Sequence, residues 1–325
     1  MSYTLYNTAQ TVDELNGVAL YRLPLDTLQN TEVNFTEMNA RAADVSELRF
    51  VLLGEKAVLK LYYYGDEATP PYLYIHFGSY QGRWPWEKKV VLHKGFNEIE
   101  ITYPNNIETL KERAKILEHP FSPEVIRVTL CNYCRFSELV GDTRKPTPDE
   151  LPEKSAVFYG SSITYGADAL TMPSCYTSLC SKILGIDVLN KGLAGACYLE
   201  PEIVDYIFSL DCDYQLVEVS TNFNISAQLE KFEQRVQNLL EAHERISPEK
   251  PLVLVNSYRC YKDTQSEEII KKYLFAKNYR NISYLSGYEL ISLGDFGVDM
   301  VHPDTMGHIN LAQNLSRELK RIWKI

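Results

Sequence analysis

The sequence predicts two folds in series: a β-sandwich or jelly roll, then an α/β unit built on a parallel sheet. Three observations carry this reading. Residues 1–141 are rich in short β-branched and aromatic runs, such as Ala57-Val58-Leu59-Lys60-Leu61-Tyr62-Tyr63-Tyr64, and hold only one clear helical stretch. Residues 142–154, DTRKPTPDELPEK, combine three prolines with many charges, which is linker composition and marks a domain boundary. Across residues 155–325 short apolar runs alternate with amphipathic helical patterns, the rhythm of βαβ units and a parallel sheet covered on both faces.

In the first half, Tyr72–Phe77, Lys89–His93 and Glu98–Thr102 read as further strands, and ETLKERAKILEH, about 108–119, as the helix. In the second half the strands are Ser155–Tyr159, Ile186–Leu189, Leu216–Val219, Leu252–Val255 and Ile282–Leu285. Leu229, Phe232, Val236, Leu239 and Leu240 share one helical face, and Leu311, Leu315, Leu319 and Ile322 share another.

Composition narrows the function classes. The 325 residues are 45% apolar and 23% charged, ordinary for a globular chain. Thirty-three basic against 43 acidic residues give a net charge of −10, which repels phosphate backbones and anionic lipid, so neither nucleic acid nor membrane is expected as a partner. No apolar run reaches the roughly 18 residues of a membrane helix, and MSYTLYNTAQTVDELNG has no signal-peptide pattern. A cytoplasmic location is the expectation. The seven cysteines form no disulfide framework. Cys131 and Cys134 make one CxxC inside VIRVTLCNYCRF, which reads as a strand with the two thiols on opposite faces; no second pair completes a zinc site, so no metal and no cofactor is expected.

The chemistry gathers after the strands of the α/β unit, where such sheets bind ligands. Gly160-Ser161-Ser162 lets the backbone turn sharply and expose a hydroxyl, which needs a base to become a nucleophile. Val298-Asp299-Met300-Val301-His302-Pro303-Asp304 supplies one. Pro303 disfavours helix at His302, Asp304 suits the N-cap of the last helix, and Asp299 is spaced to orient the imidazole. Between them lie Asn190–Ala196, with Gly195, and Ser220-Thr221-Asn222-Phe223. Gly195 is either a tight turn or a backbone donor, and Asn222 either a helix cap or a side-chain donor to an oxyanion. Cys197 is a rival nucleophile, and Glu218 either a paired structural carboxylate or a group that positions Asn222.

In order and spacing, GSSIT, NKGLAG, STNF and DMVHPD resemble the four blocks of the SGNH hydrolases, also called GDSL-type lipases and esterases, over roughly 155–325. FYGSSITYGADA and VHPDTMGHINLA resemble a subgroup with an N-terminal β-domain. The resemblance implies a flavodoxin-like three-layer α/β/α sandwich with Ser162 as nucleophile, His302 as base and Asp299 as its orienting acid. It places the Ser162 and Gly195 N–H groups and the Asn222 side chain in the oxyanion hole. Ser161 stands where the family usually has an acid, and Ser220 and Phe223 replace the residues that usually flank the third-block Asn. The function expected is hydrolysis of short O-acyl esters, acetyl esters of carbohydrates among them. An acyltransferase using the same triad and a non-catalytic carbohydrate-binding protein are the alternatives. Trp84 and Trp86, in Gly82-Arg83-Trp84-Pro85-Trp86, suit either sugar stacking or packing between domains.

Overall fold

The computed structural model describes the chain apart from residues 1, 67–71, 83–90, 226–227, 259–261, 278 and 280. Trp84, Trp86, Cys260 and the start of the Lys89–His93 run therefore lie outside the described residues. The chain divides into two compact units, Met1–Pro24 with Ala40–Glu153, and Leu25–Asn39 with Lys154–Ile325.

The first unit is antiparallel. Its strands are β1 (Thr4–Tyr6), β2 (Gln10–Glu14), β3 (Gly17–Tyr21), β4 (Glu47–Tyr63), β5 (Tyr74–Phe77), β6 (Tyr80–Gln81), β7 (Gly95–Ile101), β8 (Val125–Thr129) and β9 (Cys134–Arg144). Hydrogen bonds order them β2-β3-β9-β4-β8-β5-β6, with β1 and β7 also on β4. The long β4 serves two neighbourhoods: its first part pairs with β1, β8 and the end of β9, and its second with β7 and the rest of β9. Even-numbered Leu48, Phe50 and Leu52 enter the core first, then odd-numbered Ala57, Leu59, Leu61 and Tyr63. Strand side chains alternate faces, so a regular strand would have turned its second half outward. The register slips between Leu52 and Ala57 while residues 53–56 stand exposed, and this bulge keeps both halves facing one core.

The sequence pattern missed the first half of β4 and all of β1–β3. VIRVTLCNYCRF is two strands rather than one: Asn132 and Tyr133 form a turn, with Tyr133 at φ +58. Cys131 and Cys134 therefore share the buried side, and the adjacent Cys134 thiol, together with burial, pushes the Cys131 thiol up.

Two stretches differ from the division read from composition. Leu25–Asn39 belongs to the second unit, and residues 142–153 pack with the first. Pro148–Glu150 form a short 3-10 turn in which Glu150 accepts from Thr147 N–H (2.7 Å) and from both terminal nitrogens of Arg144 (2.7 Å each). Arg144 and the Thr147 turn overcome burial and hold the Glu150 carboxyl at about 2, against an ordinary 4.5. A depressed carboxyl stabilises the fold above its unfolded pKa, and that contribution fades as pH falls through the folded value. Glu150→Gln is expected to cost about 1–2 kcal/mol near neutrality, since water screens part of the pair. Urea unfolding should show the difference shrinking from about pH 4.5 toward 2; a pH-independent difference would contradict this.

The second unit carries five parallel strands, β10 (Ser155–Gly160), β11 (Asp187–Gly192), β12 (Tyr214–Glu218), β13 (Leu252–Val255) and β14 (Ile282–Leu285), in the order β11-β10-β12-β13-β14. This is the flavodoxin-like order, reversing at β10. Each predicted strand is present within a few residues. Helix Leu229–Ile246 buries Phe232, Val236, Leu239 and Leu240, and helix Thr305–Trp323 buries Leu311, Leu315 and Leu319. Asp304 caps the latter, accepting from Gly307 N–H at 2.8 Å. Gly160 pairs with Gly192, and Tyr159 with Val217, so β10, β11 and β12 end along one edge of the sheet.

Candidate active site

At that edge β10 turns into the short helix Ser162–Tyr165. Gly160 is required by close approach: a Cβ there would lie 2.3 Å from Thr164 Oγ1 and 2.9 Å from Glu218 Oε2. Ser161 caps the helix, its Oγ accepting from Ile163 N–H (3.3 Å). Asn190, at the end of β11, ties the turn down by donating to Thr164 O (2.9 Å) and Tyr165 O (3.1 Å).

The loop before the last helix brings the second and third groups. Ser162 Oγ lies 2.6 Å from His302 Nε2, and His302 Nδ1 lies 2.5 Å from Asp299 Oδ2. The other Asp299 oxygen accepts from Val301 N–H (2.9 Å) and His302 N–H (3.0 Å), closing a local turn with Met300 at φ +56. Burial pushes the Asp299 carboxyl up, but these two N–H groups and the imidazole outweigh it and hold it at about 2. An ionised carboxylate on Nδ1 keeps the proton on that nitrogen and leaves the Nε2 lone pair to accept from Ser162.

Asp168 joins this corner, its carboxylate within 4.8 Å of donor atoms of Asp299 and His302. Three such groups could hold a cation, but Ser162 and Asp299 already engage both ring nitrogens of His302. No sequence pattern marks Asp168, which sits in the loop after the Ser162–Tyr165 helix at φ +65. His308, on the last helix, has both ring nitrogens engaged, by Tyr176 N–H (3.2 Å) and Ala167 O (2.8 Å).

The loop after β11 presents one backbone donor. Leu193 N–H donates to Gly160 O (2.8 Å), Ala194 N–H to Asn39 Oδ1 (2.8 Å), Ala196 N–H to Leu193 O (3.1 Å) and Cys197 N–H to Asn222 Oδ1 (3.0 Å). Of the N–H groups from Leu193 to Cys197, only that of Gly195, at the tip, meets no acceptor among the described residues, and its φ of +65 explains the glycine. Because Asn222 Oδ1 accepts from Cys197, its Nδ2 is left as the donating end. Asn222 is thus not a helix cap.

Glu218 is fully buried and paired, as a structural carboxylate must be. One oxygen accepts from Ser161 N–H (2.8 Å), and the other from the Thr221 N–H (3.2 Å) and hydroxyl. It satisfies its charge by linking the residue before Ser162 to the residue before Asn222. Cys197 is buried, its thiol faces Glu218 O at 3.7 Å, and burial pushes the thiol well up, which argues against it as a nucleophile.

Fold and site together define a class. The chain belongs to the GDSL-like lipase/acylhydrolase family, whose model matches residues 153–320, and it is a serine ester hydrolase of that family. Particular solved structures resemble the whole chain. The salicylyl-acyltransferase SsfX3 from a tetracycline biosynthetic pathway superposes with a TM-score of 0.78 at 17% identity, covering 99% of this chain and 95% of that one. The acetyl xylan esterase Est2A from Butyrivibrio proteoclasticus gives 0.65 at 13% identity, covering 99% and 96%. A family two carbohydrate esterase from Clostridium thermocellum gives 0.62 at 13% identity, covering 90% and 97%. At these identities the likeness is one of fold. No curated protein matches the chain.

Proposed function

We propose that Ser162, His302 and Asp299 form a catalytic triad that hydrolyses short O-acyl esters, acetyl esters of carbohydrates in particular. The observation that carries this is the continuous Ser162–His302–Asp299 relay, at 2.6 and 2.5 Å, beside the Gly195 donor loop. Ser162 Oγ attacks the ester carbonyl and its proton passes to His302 Nε2. The resulting oxyanion accepts from the Ser162 and Gly195 N–H groups and from Asn222 Nδ2. Collapse expels the alcohol, which takes the proton from His302, and water repeats the sequence on the acyl-enzyme.

The two carbohydrate-active esterase folds support a sugar ester as substrate. A second reading, acyl transfer to an alcohol, draws support from the likeness to the salicylyl-acyltransferase. The test is p-nitrophenyl acetate turnover by the parent and Ser162→Ala, with fluorophosphonate label located by mass spectrometry and product partition followed as alcohol is added. Label on Ser162 with turnover lost in the variant upholds the reading, and label elsewhere overturns it. Acyl transfer outrunning hydrolysis would select the second reading.

Asn222→Ala is expected to lower kcat about 10²-fold with little change in KM, because its bond strengthens only as the oxyanion forms. A loss confined to KM would make Asn222 a substrate-positioning residue.

A further inference from the structure

We propose that Asn39, on a strap drawn from the N-terminal part of the chain, is a positioning residue that sets the oxyanion loop. The inference rests on the triad reading above. Leu25–Asn39 lies within the same compact unit as the site, although both flanking stretches belong to the other unit. The buried Asn39 amide grips the Ala194 peptide at both ends: Oδ1 accepts from Ala194 N–H (2.8 Å), and Nδ2 donates to Ala194 O (3.0 Å). A primary amide accepts through its oxygen while its two N–H groups donate, here to Ala194 O and Phe35 O; a carboxylate has no donor and a hydroxyl only one.

The loop has three anchors. Leu193 is held to the nucleophile strand through Gly160 O, and Cys197 to Asn222. The tip, Ala194-Gly195, is held by Asn39. Phe35 backs this up, its ring lying where a Gly195 side chain would be, 3.0 and 3.2 Å from a Cβ placed there. Asn39 in turn holds Phe35 O through Nδ2 (3.0 Å) and its own N–H (3.1 Å).

The far end of the strap is fastened independently. Glu32 pairs with Arg235 (2.7 Å) and Lys231, and Asn30 donates to Glu202 (3.1 Å). Asn39 is therefore carried on a segment fixed at both ends. An oxyanion donor must sit within about 2.7–3.1 Å of the position that the carbonyl oxygen takes as it becomes an oxyanion, and a shift of about 1 Å can cost 10²-fold. Releasing the Ala194 peptide should therefore lower kcat and spare ground-state binding.

The experiment compares the parent, Ser162→Ala, Asn39→Ala, Asn39→Asp, Asn222→Ala and the Asn39→Ala/Asn222→Ala double variant with p-nitrophenyl acetate. Asn39→Asp has the same shape but turns the two donated bonds into oxygen–oxygen repulsions, and it serves where Asn39→Ala does not fold. Both Asn39 variants are expected to lose about 10- to 10²-fold in kcat, with KM within about twofold and the pH profile of kcat/KM unshifted. The double variant should lose less than the product of the single losses, because both residues act on one oxyanion. Retention of kcat in both Asn39 variants overturns the proposal while leaving the triad reading intact. So does a loss carried by KM, or one accompanied by a shifted pH profile. A parent without Ser162-dependent turnover overturns both.

Discussion

Ser162→Ala and His302→Ala are each expected to lower kcat by about 10⁴-fold or more, and the double variant by little beyond either single one. Without the hydroxyl the imidazole has no proton to take, and without the imidazole the hydroxyl is a weak nucleophile. Once one is gone, the other has nothing left to contribute. What survives should be the rate given by the oxyanion donors alone, which neither substitution touches. Steady-state kinetics on matched, folded preparations reads this directly. Losses that multiply in the double variant would mean that Ser162 and His302 act in separate steps, despite the 2.6 Å between them.

Asp299→Asn is expected to cost about 10³–10⁴-fold in kcat with the loop intact. The two backbone bonds to Asp299 Oδ1, from Val301 and His302, need only an acceptor, and an amide oxygen supplies one. The amide nitrogen would then face His302 Nδ1 as a donor and force the ring proton onto Nε2. That tautomer cannot accept from Ser162. The substitution therefore separates orientation from tautomer, and ring-nitrogen NMR at neutral pH should find the proton on Nε2. A loss below tenfold would mean that Asp299 serves only to shape the loop. Because the Asp299 carboxyl is held at about 2, it stays ionised and on His302 Nδ1 well below neutral pH.

Much of the α/β unit was legible because its signals are local. A buried parallel strand must be apolar along its length, and a packed helix must repeat its apolar face, so β10–β14 and the two long helices announced themselves. The blocks around Ser162, Gly195, Asn222 and His302 were legible because glycine and polar residues at strand ends stand out against those runs. Asn39 and Phe35 were not, since NTEVNFTEMNA has no periodicity to follow and the bond between Asn39 and Ala194 spans 155 positions. Glu218 could be read as needing partners, but not that they would be the backbone before Ser162 and the turn before Asn222. In the β unit, β4 changes the parity of its core residues between Leu52 and Ala57, which defeats a search for strict alternation.

The strap also bears on when the site comes into being. Residues 25–39 leave the ribosome early, long before the Ala194 peptide they hold or the Arg235 they pair with has been made. Asp299 and His302 follow later still. The pieces of the site are thus separated in time of synthesis as widely as in sequence, and contacts of such long range form late in folding. A nascent chain halted before Asp299 would hold Ser162 and the strap but no base to draw the serine proton. Activity should arrive only once Asp299 and His302 have been made and have docked.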